Sequence, residues 1–154
     1  MATEIHRFDI RNRQLLDLKI DVDSIIHFSL GQFISWPGPE ERERIKDICL
    51  RSTGFPGVVG CIDCTHVNIT SPVRNAAQYK NRHHRYSINV QAVVDCNLLV
   101  RDLHVGEVGS MNDNRVFKRS ALYRELLQGG ERLDRINEHL VGDGAYTLTD
   151  FVSI

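Results

Sequence analysis

The stretch GVVGCIDCTHVNI, from Gly57 to Ile69, is apolar on both sides of a single carboxylate, Asp63. Side chains alternate across a β-strand, and both faces of this segment are apolar up to Asp63. This pattern predicts a central strand that is covered on both sides. An ionised carboxylate there needs a basic side chain, a group of backbone donors or a metal ion, because desolvating it alone is costly. The alternative is an Asp at the exposed end of the strand, bonded to loop amides.

The segments that follow this strand predict a mixed α/β sheet. Residues 87–95 and 98–106 alternate and are rich in Val and Ile, and the Asp-Cys-Asn sequence between them is typical of a hairpin turn. Residues 109–130 predict a loop and then a helix that ends at a Gly-Gly pair. Residues 139–143 predict another strand, and residues 147–154 predict the start of a further helix. The predicted order is helices, then β-β-β-α-β, with helices on the faces of the sheet.

The chain before the first strand reads as helical. Residues 1–56 form a predicted helical N-terminal region, and residues 57–154 form the region that contains the strands. Apolar residues from 22 to 34 have mostly helical spacing. Pro39 is typical of a first helical turn and Gly54 of a position just past the last turn, so they bound a second helix.

Composition and charge narrow the class of protein. The chain has 154 residues, is 42% hydrophobic and 25% charged, and has a formal net charge of -1. These values exclude a disordered or strongly basic protein but leave room for a local basic patch. No apolar run has the length of a membrane span, and the N-terminus lacks a signal-peptide core, so we expect a soluble intracellular protein with no membrane partner. Four irregularly spaced cysteines predict free thiols.

Two further acids resemble Asp63 in their setting. Asp143 closes an apolar run and is followed by glycine, and Asp113 stands at the predicted start of a helix. Carboxylates at the ends of adjacent central strands converge, and clustered oxygen ligands suit Mg²⁺ or Mn²⁺. For Asp113 the alternative is a simple helix N-cap. Asp95 is assigned to the hairpin turn and excluded from the site.

A long segment, residues 71–94, contains no acid. It carries four basic residues that could contact DNA phosphates without reading sequence: Arg74, Lys80, Arg82 and Arg85. The alternative is a solvated connection between two strands.

A zinc site is a rival interpretation of part of this sequence. The candidate ligands are Cys61, Cys64, His66, His83, His84 and Cys96. Cys61 and Cys64 would point to opposite faces of a strand, so they could not hold one ion without a bulge. The spacing therefore argues against zinc.

Four blocks carry a resemblance to a known family: VVGCIDCTHVNITSP, YKNRHHRYSINVQAVVD, VGEVGSMNDNRVFKRSALY and LVGDGAYTL. In this order and with these gaps, the chain from Pro37 onwards resembles the DDE endonuclease domain of PIF/Harbinger transposases. It resembles in particular the Harbinger-derived nucleases of animals. The resemblance implies an RNase H-like fold and a two-metal DNA endonuclease in the nucleus, with the cytoplasm as an alternative location. A separate DNA-reading protein partner is also expected.

The same resemblance assigns roles to the acids. It implies that Asp63 and Asp143 are catalytic metal ligands, that Asp113 is a further ligand, and that the cofactor is Mg²⁺ or Mn²⁺. Departures from the family pattern are Cys64, Asn112, Gly144 and Thr147, where Gly, His, Ser and Pro are usual.

The family's third catalytic acid is a glutamate on a helix beyond the GD-x-x-Y block, and the chain to Ile154 contains no such residue. We therefore expect a fold that is incomplete at its C-terminus, a truncated domain and an impaired nuclease. The alternative is a non-catalytic protein that interacts with DNA or with other proteins.

Overall fold

The structure, a computed structural model, describes residues 33–129, 131–134 and 136–154. The predicted helical segment 22–34 lies outside these residues apart from its last two positions. The predicted division of the chain at residue 56 stays a prediction. Within the described part of the chain, no helix is long and apolar enough to cross a bilayer.

A mixed five-stranded sheet organises the fold, in the order β3-β2-β1-β4-β5. The strands are β1 (Val58–Asn68), β2 (Ser87–Val94), β3 (Val100–Val108), β4 (His139–Val141) and β5 (Val152–Ser153). The helices are α1 (Pro39–Thr53), α2 (Ala76–Tyr79), α3 (Asp113–Arg119) and α4 (Ala121–Leu127). β1 is antiparallel to β2 and parallel to β4. The predicted mixed α/β class and the central position of β1 are confirmed.

Both faces of β1 are covered only at its start. Val59 and Ile62 belong to the main core, and Val58 packs on the other side with Ile45 of α1. Cys61 and Asp63, which flank the buried Ile62 in the sequence, are exposed. The prediction that both faces are covered up to Asp63 is therefore wrong from Cys61 onward, because α1 packs against the beginning of the strand.

The predicted hairpin turn after β2 is confirmed. Asp95 Oδ1 accepts hydrogen bonds from the amides of Asn97 and Leu99, at 2.8 and 3.0 Å. Its Oδ2 lies 2.8 Å from Nε of Arg101. The carboxylate is buried but fully bonded, so its exclusion from the candidate site agrees with the structure.

The predicted helix within residues 109–130 is two helices, α3 and α4. Ser120 separates them with an extended backbone, φ -66° and ψ 156°. Its hydroxyl donates to the carbonyl of Phe117 and accepts from the amide of Tyr123, so one buried side chain ends α3 and caps α4.

The predicted helix at residues 147–154 is also wrong. Val152 pairs with Leu140 in a parallel ladder, and both are fully buried. Thr149 Oγ1 accepts from the amide of Val152 at 3.0 Å and turns the chain into β5. Burial of Val152 beside β4 decides the conformation, which periodicity cannot do for so short a segment.

Helix α1 has the predicted start and end, because Gly54 follows it with φ 79°. Its buried Arg42 Nε lies 2.8 Å from Oε2 of Glu138, the residue before β4. This ion pair joins α1 to the strand that supplies part of the candidate site.

Candidate metal centre and nucleic-acid interface

The parallel pairing of β1 with β4 positions two of the acids. Cys61 and Val141 are partners in the ladder. Asp63 and Asp143 each stand two residues farther along the same direction. Because neighbouring parallel strands are about 4.8 Å apart, equivalent positions on them lie side by side. The predicted convergence of these two residues is thus a consequence of the strand register.

Asp113 reaches the same place from a helix. Asn112, not Asp113, is the N-cap of α3, since its Oδ1 accepts from the amide of Arg115 at 2.9 Å. The N-cap alternative for Asp113 is therefore wrong, and its carboxylate is not used to cap the helix. Val116 and Phe117 of α3 are buried, which holds this helix end over the sheet.

The three carboxylates form one group. One oxygen from each of Asp63, Asp113 and Asp143 lies within 4.8 Å of the others. Asp63 and Asp143 are exposed and Asp113 is half-buried. Opposite oxygen ligands of Mg²⁺ are about 4.2 Å apart, because each Mg–O bond is about 2.1 Å. The group thus fits a single hard cation after small side-chain rotations.

The charge of this group is not neutralised by basic side chains. Within residues 33–129, 131–134 and 136–154, no ion pair reaches Asp63, Asp113 or Asp143. Burial raises the pKa of Asp113, and the negative charges of Asp63 and Asp143 raise it further. A cation bound among the three would relieve this repulsion.

Asp63 and Asp143 each use one oxygen to accept a hydrogen bond from a nearby backbone amide. Asp63 Oδ1 accepts from the amide of Cys64 at 2.7 Å, and Asp143 Oδ1 accepts from the amide of Ala145 at 2.9 Å. Asp63 lies within β1 and Cys64 belongs to the same strand, so the alternative of an Asp at the strand's end bonded to loop amides is wrong. The bonds orient both carboxylates and leave the second oxygen of each for a ligand.

Two residues that were not predicted from the sequence to lie at this site, Tyr146 and Cys64, pack beside these acids. The hydroxyl of Tyr146 lies 3.5 Å from Sγ of Cys64. Burial raises the pKa of Tyr146 and raises the pKa of Cys64 to about 12, so both stay protonated. A Cβ on Gly142 would be 2.7 Å from Cδ2 of Tyr146, so only glycine lets that ring pack against the end of β4. The GD-x-x-Y spacing was the signal that could have identified Tyr146.

The basic segment is an ordered loop. Lys80 and Tyr86 form an isolated antiparallel β-bridge. Between them, Oδ1 of the buried Asn81 accepts hydrogen bonds from the amides of His83 and Arg85, at 3.0 and 3.1 Å. All four predicted phosphate-binding residues are exposed, and none has a carboxylate partner in the described part of the chain: Arg74, Lys80, Arg82 and Arg85.

A cavity of about 480 Å³ lies between this loop and the end of β1. Its lining is His66, Asn68, Asn81, His83 and Arg85. Burial lowers the pKa of His66, while Asp113 opposes that change. Of the four predicted cations, Arg85 lines this cavity. No described contact joins any of the four to the acids.

In the described part of the chain, the candidate zinc ligands do not form a group with metal-ligand spacing. Cys61 is exposed, and Cys64 contacts Tyr146. Among the described residues, the three acids are the one group of His, Cys, Asp and Glu side chains with metal-ligand spacing. The structure therefore does not support the zinc interpretation.

Comparison with known proteins agrees with this geometry. Residues 62–154 match the family model described as DDE superfamily endonuclease. The chain is 37% identical over 93 residues to a Xenopus laevis protein named "Putative nuclease HARBI1", a match that covers 60% of this chain and 27% of the relative. It is 30% identical over 119 residues to the Homo sapiens protein of the same name, covering 77% and 33%.

A plant relative shows the same similarity. The chain is 30% identical over 127 residues to "Protein ALP1-like" of Arabidopsis thaliana, covering 75% of this chain and 30% of the relative. The chain spans about a third of the length of these curated relatives. No solved structure matches it.

Proposed function

Because the chain belongs to the DDE superfamily endonuclease family, we propose that it derives from a Harbinger transposase and cleaves phosphodiester bonds of DNA with divalent metal ions. The observation that carries the proposal is the group of three carboxylates, whose oxygens lie within 4.8 Å of one another. In the proposal Asp63 and Asp143 are catalytic ligands and Asp113 is a supporting ligand. The cofactor is Mg²⁺ or Mn²⁺, since a hard cation prefers such oxygen atoms.

The protein's part in this reaction is to hold groups in place. When bound, divalent cations activate the attacking oxygen and stabilise the leaving oxygen of the phosphodiester. Strand β1 holds Asp63, the segment that follows β4 holds Asp143, and the capped end of α3 holds Asp113. Exposed Arg74, Lys80, Arg82 and Arg85 would bind the DNA backbone without reading its sequence.

Because these contacts carry no sequence information, the proposal includes a separate DNA-reading protein partner. It also includes a nuclear location, where the substrate is found, with the cytoplasm as the alternative.

Turnover by this chain should be slow. No further acid among the described residues joins the three carboxylates. A second metal ion would therefore be held by few protein ligands, and small displacements are costly in this chemistry.

Manganese binding and plasmid nicking test the proposal together. We expect the wild-type chain to bind Mn²⁺ and to nick supercoiled plasmid slowly. Asp63→Asn should weaken Mn²⁺ binding at least about tenfold, a change of about 1.4 kcal/mol, and should remove the nicking. The matched control is Asp47→Asn, because Asp47 is an exposed acid on α1. Equal Mn²⁺ binding by wild type and Asp63→Asn would contradict the proposal.

A second function from another class is a non-catalytic DNA-binding protein. The observation that favours it is the unpaired basic loop beside a group of only three acids. It predicts DNA binding by the wild type with no nicking above the level of Asp63→Asn, in Mg²⁺ and in Mn²⁺.

A further inference from the structure

The cavity beside β1 has a buried polar wall. Asn81 and Ser87 are 6% and 0% exposed, and Asn81 Nδ2 donates to Ser87 Oγ at 3.0 Å. Ser87 Oγ lies 3.2 Å from Nδ1 of His66. A Cβ on Gly109 would be 2.4 Å from the same oxygen, so the site around the hydroxyl is tightly packed. This wall is therefore formed by Asn81 of the cavity lining and the buried Ser87 bonded to it, while the exposed His83 and Arg85 are also part of the lining.

The hydrogen-bond network orients His66. Because Ser87 Oγ accepts from Asn81, its own hydrogen is free to be donated to Nδ1 of His66. When the hydroxyl donates in this way, a neutral His66 carries its proton on Nε2. Since Nδ1 is held by the buried wall, Nε2 is the ring nitrogen left to donate to a ligand in the cavity lined by His66.

The other side of the cavity supplies cationic and amide groups. Arg85 lines it, and its backbone is fixed by Asn81 Oδ1 at 3.1 Å. His83 is fixed by the same oxygen at 3.0 Å. Arg85 has no carboxylate partner among the described residues. An unpaired guanidinium facing an imidazole donor and Asn68 suits an anion with several oxygens.

From this geometry we propose that the cavity binds one backbone phosphate of the DNA strand that enters the acidic centre, with Arg85 and His66 as its ligands and Ser87 and Asn81 as positioning residues. This inference rests on the proposed function. His66 follows Asp63 by three residues on β1, which is about 10 Å along a strand. DNA carries one phosphate per about 3.4 Å of helix axis on each strand. The bound phosphate would thus be within about three positions of the cleaved bond.

Salt-dependent DNA binding gives the first measurement. Each phosphate contact contributes about 0.9 to the slope of log affinity against log salt. Relative to about 1 M salt, one contact therefore increases the affinity at about 0.1 M salt about eightfold. We expect Arg85→Ala to weaken duplex binding by about that factor and to reduce the slope by about one. Arg85 is exposed, so this variant should fold. The control is Arg44→Ala, an exposed cation on α1 that should change neither value.

Neutral phosphate substitution locates the contact. Duplexes in which one phosphate is replaced by a methylphosphonate are compared for wild type, Arg85→Ala and His66→Gln. One position should weaken wild-type binding about eightfold, yet have little further effect on Arg85→Ala, because both changes remove the same contact. His66→Gln should show the same non-additivity at that position.

The outcomes separate this inference from the proposed function. Additive effects at every position would overturn the phosphate site while leaving Mn²⁺ binding by Asp63 intact. If inorganic phosphate saturated the cavity at constant ionic strength, and Arg85→Ala bound DNA as tightly as wild type, the site would be one for free anions and the DNA assignment would be wrong. Failure of the wild type to bind any DNA would overturn both.

Discussion

Replacing Asp113 by Asn should stabilise the metal-free protein and reduce its stabilisation by Mn²⁺. Asn has the size of Asp but no charge, so the change isolates electrostatics. Asp113 has two negative neighbours, Asp63 and Asp143, whose oxygens lie within 4.8 Å, and no basic partner in the described part of the chain. A group of negative charges that binds a cation is destabilising when no cation is present. One variant should therefore show two separate effects, one on stability without metal and one on stabilisation by Mn²⁺.

The structure sets the size of the metal-free effect. Two unit charges 4.8 Å apart repel by about 0.9 kcal/mol in water. Water is the suitable medium because both neighbours of Asp113 are exposed. Removing two such repulsions gains about 1.7 kcal/mol, and losing a negative charge in the first turn of α3 costs about 0.3–1 kcal/mol. The net gain is about 1 kcal/mol, which raises Tm by about 2–4 °C in a domain of this size.

Thermal unfolding with EDTA and then with Mn²⁺ checks this prediction. Asp113→Asn should unfold above the wild type in EDTA and below it at saturating Mn²⁺. Asp95→Asn is the contrasting control. It should be destabilised equally in both conditions, because Asp95 is buried against Arg101 and is not a ligand. If Asp113→Asn kept the full Mn²⁺ increment, or lost stability in EDTA, the like-charge account of the centre would be refuted.

Three more outcomes follow from other contacts. Gly142→Ala should lower the free energy of unfolding by about 1–3 kcal/mol, because its Cβ would lie 2.7 Å from Tyr146; an unchanged urea midpoint would disprove this. Glu138→Gln should cost about 3–5 kcal/mol in the same assay, since the buried Arg42 loses its ionised partner, and a loss below about 1 kcal/mol would show that the pair is solvated. Burial lowers the pKa of His139, so the unfolded chain takes up its proton first, near pH 6.5. Stability from this residue is complete above about pH 6.5 and is lost as the pH falls toward the folded pKa; His139→Gln should flatten that decline in Tm, and an equal decline would exclude His139 as its source.

Much of the sheet could be predicted because its strands are long and apolar. The pattern of residues 57–69 identified β1 to within a residue at each end, and the convergence of Asp63 with Asp143 followed from two apolar runs that lead to acids. A two-residue strand such as Val152–Ser153 has no periodicity, so its pairing with β4 could not be predicted. Nor could the break at Ser120, since apolar helical spacing continues across it.

The hydrogen bonds that fix the basic loop could not be predicted from the sequence either. Asn81 holds the loop through bonds to residues two and four positions ahead and to Ser87. A polar residue in a polar segment gives no sign of burial. The basic residues could therefore be predicted from the absence of acids in this segment. The role of Asn81 depends on its burial in the folded protein and could not be predicted.

The parallel pairing of β1 with β4 also bears on when the acidic centre can exist. Cys64 and Tyr146, which touch behind it, are 82 positions apart in the chain. Parallel strands that are this far apart in the sequence pair late. The entropic cost of closing the long loop between them comes before any stabilising contact forms. During synthesis Asp63 leaves the ribosome long before Asp143. We expect the newly made polypeptide to have no assembled cation site until β4 has paired with β1, which would delay any cutting activity until then.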